Sequence, residues 1–315
     1  MIEVVANSLL PIFIGLLFGY AAGLFKVVDN KDVKSLVTFL MTFALPCSLF
    51  VTIARTPHEL LWGQAKPAVV LAIVYVAVFV ATYYASRNFG KDTSVNSAVL
   101  ALTLGFPNHA GVGIPLLLAV YGAKASVTVA VGLAVGAITI TPITLTILES
   151  GTSEGKTLSP AARIGMSLWR ALQKPVFWAP VLAVLAAVVK FHMPIYLDKS
   201  LTILGDATEG TALFVTGLIV SAQRFNLNWS VCWAVLGKNV IQPALCLAIA
   251  LLLGMSLEQT RFIVLLSAIP SGFFGILFGK GFDATPEVAS SSLVAGTVLS
   301  IFTLAGWIIL LSHLH

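Results

Sequence analysis

The sequence predicts an all-α polytopic membrane protein of ten transmembrane helices, arranged as two inverted five-helix repeats in which helices 4 and 9 are broken. Three observations predict it. Of 315 residues 58% are hydrophobic and only 10% charged, and the mean hydropathy is +0.98. A soluble domain carries about 25% charged residues. The apolar residues fall into ten stretches, each near the ~20 residues needed to cross the hydrocarbon core. Two of those stretches are interrupted by proline and glycine, at Pro107 and Pro270, which lie 163 positions (270 − 107) or about half the chain apart.

The stretches run over 3–25, 33–54, 66–86, 95–120, 125–148, 174–191, 199–222, 229–254, 260–280 and 287–311. The first is longer than a signal-peptide core, lacks a basic leader and has no small-residue cleavage site before Lys26, so it is expected to be retained. Loops are short except the polar one from Glu149 to Gln173. That loop divides the chain into a first repeat (1–148), a cytoplasmic linker (149–173) and a second repeat (174–315). Lys34-Ser35-Leu36 returns as Lys199-Ser200-Leu201, and Leu49-Phe50-Val51-Thr52 as Leu213-Phe214-Val215-Thr216, at offsets of 165 and 164. These nearly equal the spacing of the two broken-helix prolines. Five spans per half would insert the second copy upside down relative to the first, the plan of many carriers.

Lys and Arg orient the chain. Loops after the odd-numbered spans hold eleven of them: Lys26, Lys31, Lys34, Arg87, Lys91, Lys156, Arg163, Arg170, Lys174, Arg224 and Lys280. The other side holds six. The positive-inside rule puts the first set in the cytoplasm and both termini outside. The net charge of +5 is thereby explained by membrane topology and gives no reason to expect a nucleic-acid partner.

The first break reads Gly105-Phe106-Pro107-Asn108-His109-Ala110-Gly111. Proline removes a backbone donor and clashes with the preceding turn, and the glycines relax the chain. In lipid, backbone groups freed this way are tolerated only where protein buries them or a water-filled cavity meets them. Asn108 and His109 put hydrogen-bonding side chains there. They could bind a carboxylate together with half-helix N–H groups; alternatively Asn108 satisfies freed backbone groups and His109 packs. The second break reads Pro270-Ser271-Gly272, with Ser271 as its polar side chain, and is either the opposing half of a site or a plain kink.

Other polar groups lie inside spans. Asp206 and Glu209 share one helical face and could couple or gate transport; Asp206 could equally be solvated at the outer interface. Lys238 could pair with Glu209 or with an anionic substrate, or snorkel to the interface. Gln242 reads as a helix–helix hydrogen bond or a ligand. Cys47 and Ser48 follow Pro46 in a polar patch that either lines a cavity or packs small residues between helices. The three cysteines show no metal or disulfide spacing, and His58, His192, His313 and His315 are scattered. A G-x-S-x-G occurs only as Gly151-Thr152-Ser153-Glu154-Gly155, inside the polar linker and not at a strand-to-helix turn, and neither an H-E-x-x-H nor a Walker lysine loop occurs, so the chain reads as neither an enzyme nor an ATP-driven pump, and no cofactor is expected.

Several stretches carry a family resemblance: Val28-Asp29-Asn30-Lys31 with Phe43-Ala44-Leu45-Pro46, Pro107-Asn108 with Gly113-Ile114-Pro115, Lys174-Pro175-Val176-Phe177-Trp178-Ala179-Pro180, and Leu213-Phe214-Val215-Thr216-Gly217. On these the chain resembles the auxin efflux carrier family, in its bacterial malonate-carrier-like branch. The resemblance implies that broken helices 4 and 9 cross. It implies a scaffold of spans 1, 2, 6 and 7 that makes a homodimer contact, and a moving domain of spans 3–5 and 8–10. It implies a small organic anion as substrate, held by Pro107 and Asn108 with Pro270 opposite. The expected function is therefore secondary active transport of malonate or a similar carboxylate across an inner membrane by an elevator-type alternating-access movement. The coupling ion is expected to be a proton, through Glu209, Asp206 or His109, with sodium as the alternative. Two other functions fit the same fold: a membrane anion sensor, and an efflux carrier of an auxin-like acid.

Overall fold

The computed structural model describes residues 2–29, 33–55, 63–150, 175–189, 193–222, 225–280, 282–284 and 286–314, with isolated positions between 159 and 191. Most of the 149–173 linker lies outside the described residues, as do Asn30, Lys31, His58, Lys156, Arg163, Arg170, Lys174, Lys190, His192, Arg224 and His315. Among the described residues the chain is helical throughout, apart from connections and one isolated antiparallel bridge.

In chain order the helices are α1 (Ile2–Leu24), α2 (Val33–Phe39), α3 (Leu45–Ala54), α4 (Ala65–Ala85), α5 (Ser94–Gly105), α6 (Ile114–Tyr121), α7 (Ser126–Ile138) and α8 (Ile140–Ser150). They continue as α9 (Pro175–Val188), α10 (Ile195–Ser221), α11 (Trp229–Leu236), α12 (Gln242–Leu252), α13 (Leu257–Ala268), α14 (Phe274–Lys280) and α15 (Glu287–Ser312). Among the described residues six helical runs are long and apolar enough to cross a membrane: Val33–Val51, Ala65–Gly90, Ala123–Glu149, Ile195–Ser221, Trp229–Leu252 and Glu287–Ser312. Leu10–Leu24, Ser94–Gly105 and Gly111–Tyr121 are shorter apolar helices.

Helix starts follow from local chemistry. Thr93, Asn228 and Ser256 each accept a backbone N–H two or three residues into α5, α11 and α13. Asp198, Glu258 and Glu287 place negative charge in the first turns of α10, α13 and α15, where the helix dipole favours it.

Prolines inside the spans leave a further signature. Leu40–Ala44, His109–Gly113 and Gly237–Ile241 are π-helical turns, and each leads into a helix whose second residue is proline: Pro46, Pro115 and Pro243. Proline cannot bond the carbonyl four residues back and collides with it. Widening the ladder by one residue moves that carbonyl aside, and Leu45 N–H accordingly reaches Leu40 O and Gln242 N–H reaches Gly237 O.

The chain divides into two compact units. Unit one holds residues 1–68, 109–134 and 172–222; unit two holds 69–108, 135–171 and 223–315. Spans 4 and 5 are thus divided, with Asn108 in unit two and His109 in unit one.

Unit one is assembled on α10, which packs against α1, α2, α3 and the 109–113 turn. Its contact with α1 is glycine-mediated. A Cβ on Gly19 would strike Phe214 O, and one on Gly217 would strike Leu16 O, so the two backbones touch reciprocally. Gly15 and Gly23 extend the α1 stripe at four-residue spacing, the small-residue packing that substitutes for hydrophobic force inside lipid. At one end Arg55 grips both Asp198 carboxylate oxygens through Nε and Nη2 (3.0 and 2.6 Å) and donates from Nη2 to Thr202. In unit two, α14 lies on α5 through Gly275, whose Cβ would meet Thr103 and Val99 O, and through Gly279 against Val99.

Candidate functional site

The site of interest in unit two forms where two helices stop. Helix α5 ends at Gly105 because Phe106 precedes Pro107, and a residue before proline is pushed out of the helical region. Phe106 is extended, at φ −107° and ψ 103°. The same rule ends α13 at Ala268, since Ile269 precedes Pro270 and sits at φ −61° and ψ 153°.

The two extended segments meet side by side, with Pro107 opposite Ser271 in an antiparallel bridge. Asn108 N–H donates to Pro270 O and Gly272 N–H donates to Phe106 O, each at 2.9 Å. Prolines contribute no donors, so the bridge uses the N–H groups of their neighbours. The close approach requires glycine at 272, where a Cβ would lie 2.6 Å from Phe106 O and 3.3 Å from Pro107 O. The broken helices therefore satisfy each other's freed backbone, which burial in an apolar medium demands.

The side chains at this bridge are polar and enclosed. Asn108 is 2% exposed and Ser271 1%. Ser271 Oγ has no hydrogen-bond partner among the described residues. Beside them an aromatic cluster gathers: Phe106 stacks on Phe274 at 5.2 Å between centroids, Phe274 on Phe273 at 5.1 Å, and Tyr75 tilts toward Phe106 at 6.4 Å.

A third helix run reaches the same ends. Lys238, fully buried, donates from Nζ to Ser267 O at 2.8 Å. Gln242, four residues on, directs Nε2 to Gly105 O at a longer 3.4 Å. The turn carrying Lys238 is itself anchored: Asn239 Nδ2 donates to Gly296 O and Trp307 Nε1 donates to Asn239 O, both at 3.0 Å. Among the described residues Lys238 makes no ion pair and meets the Ser267 carbonyl; the Glu209 side chain lies outside those residues.

The structure thus brings together Pro107, Asn108, Pro270, Ser271 and Gly272, with Lys238 and Gln242 on the helix ends that lead into them. The other singled-out residues belong to unit one. There His109 and Gly111 are buried in the π turn packed on α10. Cys47 and Ser48 are half-buried on α3, and Gly205 of α10 presses on the Ser48 backbone. Asp206 is exposed on α10, and the Glu209 side chain lies outside the described residues. Sequence reasoning missed that Phe106 and Ile269 are both extended, although the X-Pro rule was available at both. The helix–helix hydrogen bond read for Gln242 is its contact with Gly105 O, whereas the contact of Lys238 with Ser267 O was missed, the spacing of four from Gln242 being its signal.

Helices of this length and apolarity, with two interrupted helices hydrogen-bonded to each other around enclosed polar groups, define a membrane transporter. Residues 4–308 match the family model described as membrane transport protein, and the chain belongs to that family, which includes the auxin efflux carriers. It is 28% identical over 312 residues to "Uncharacterized transporter YfdV" of Escherichia coli (strain K12), covering 98% of each chain. It is 26% identical over 314 residues to the "Putative malonate transporter" of Rhizobium meliloti (strain 1021), covering 98% of this chain and 96% of that one. Auxin efflux carrier component 8 of Arabidopsis thaliana is 20% identical over 361 residues, with 98% and 97% covered.

Proposed function

We propose that this protein is a secondary active carrier of a small organic carboxylate, malonate or a close relative. The observation that carries the reading is the hydrogen-bonded bridge between the two helix breaks, with Asn108 and Ser271 enclosed beside it. Enclosed donors next to interrupted helices suit a carboxylate, which needs several N–H or O–H partners at once. The name of the Rhizobium relative supports malonate as the first acid to test.

In this proposal the chain crosses an inner membrane ten times as two inverted repeats, with both termini outside the cytoplasm, and works as a homodimer. The division into two compact units supports an elevator-type cycle in which substrate is presented to each side in turn. Transport is symport with a proton, for which Glu209, Asp206 and His109 are the candidates; sodium is the competing coupling ion. Within unit one, Cys47, Ser48, His109 and Gly111 are the proposed binding groups.

The aromatic cluster of Phe106, Phe273 and Phe274 favours a second reading, an aromatic acid of auxin type. Counterflow of labelled malonate in proteoliposomes, at two pH values and with or without sodium, tests both. Saturable exchange competed by dicarboxylates supports the first reading, and competition only by an indole acid supports the second. Binding without any exchange would make the protein an anion sensor.

A further inference from the structure

A buried ammonium costs several kcal/mol unless charge and hydrogen bonds compensate it, and inside a span it most often marks a working site. Lys238 is such a group, and what it meets is backbone: the Ser267 carbonyl, one residue before the end of α13. In an unbroken helix that carbonyl would accept from residue 271, but Ser271 is in the bridge instead. Gly105 O, the last carbonyl of α5, has likewise lost its continuation and receives Gln242 Nε2. One helix run therefore reaches the C-terminal ends of both broken helices. Each such end carries about half a negative charge, felt within the last turn. Two of them beside Asn108 and Ser271 would repel the anion proposed to bind there.

We propose that Lys238 is a positioning and specificity residue: with Gln242 it pins the C-terminal ends of α5 and α13, and its charge cancels their negative field so that the bridge between Pro107 and Ser271 accepts an anion. Lys238 in this role acts through the backbone and does not touch the substrate. The role rests on the carboxylate-carrier reading for its anion half; the pinning half stands independently.

The test uses the full-length chain, purified and reconstituted, as wild type, K238M, K238R and Q242L. Malonate counterflow is measured with malonamide, an uncharged analogue of similar shape, as competitor. Backbone amide exchange is followed at Asn108 and Gly272. K238M should raise the half-saturating malonate concentration about tenfold, keep the maximal exchange rate, and shrink the preference for malonate over malonamide. K238R should restore that preference. Both K238M and Q242L should speed exchange of the Asn108 and Gly272 amides. Wild-type half-saturation and preference in K238M would overturn the electrostatic role. Should K238M not fold, Q242L decides the pinning: unaltered amide protection in it overturns the proposal. If the wild type moves no malonate, the carrier reading fails first, and amide exchange alone decides the pinning.

Discussion

Replacing Gly272 with alanine should break the bridge between the two helix interruptions. The added Cβ would lie 2.6 Å from Phe106 O, whereas ordinary contact begins at 3.4 Å. Relief requires a separation of about 0.8 Å, the difference between those distances. Applied to the 2.9 Å bond from Gly272 N–H to Phe106 O, the shift stretches it to roughly 3.7 Å, outside hydrogen-bonding range. A buried backbone pair left unmet costs roughly 1–3 kcal/mol. The companion bond from Asn108 to Pro270 is part of the same two-residue bridge, so the total is about 2–6 kcal/mol. The backbone at Gly272 does not have positive φ, so the penalty is steric and not conformational. The assay is thermal unfolding in detergent, with malonate counterflow on the same preparation. G210A is the control, because a Cβ on Gly210 meets nothing within 4 Å and alanine favours the helix by about 0.5–1 kcal/mol. A G272A protein as stable as wild type, with the two amides still protected from exchange, would refute the reasoning.

Further outcomes are expected. N108A should weaken malonate binding about tenfold or more, the scale of one hydrogen bond to a charged group, with unfolding temperature nearly unchanged; wild-type affinity in a folded N108A protein removes Asn108 from the site. G19A and G217A should each destabilise by about 1–3 kcal/mol, and the double variant by less than their sum, because one separation of α1 from α10 relieves both clashes; additive losses in unfolding experiments would contradict reciprocal contact. R55A should lose no more than about 1 kcal/mol, and less at high salt, since the Arg55 side chain is 51% exposed; a salt-independent loss well above that would mean the Asp198 pair is shielded.

Much of the fold was legible because lipid imposes few alternatives. Apolar runs marked the helical intervals, and six helical runs among the described residues are long enough to span; α10 begins at Ile195 rather than 199, because Pro194 supplies the start and Asp198 fits the first turn. The two breaks were legible from proline and glycine together. Their partnership was not, because hydrogen bonding between residues 162 and 166 apart leaves no local pattern. The π turns were equally hidden. Proline at 46, 115 and 243 disfavours a regular helix, but whether a helix bends, breaks or widens by one residue depends on what packs around it. Lys238 was visible as an anomaly of charge, while its partner, a backbone carbonyl, carries no sequence identity at all.

The bridge also sets an order of events during synthesis. Phe106 O and Asn108 N–H enter the membrane with the first half of the chain, yet their partners Gly272 and Pro270 are translated 166 and 162 residues later. At about 5–20 residues per second that gap lasts roughly 8–30 s. Throughout it the first interrupted helix carries exposed backbone polar groups in a nascent, half-built protein. Truncated chains ending before residue 270 should therefore be substrates for membrane quality control, and either half expressed alone should be short-lived unless the other is supplied.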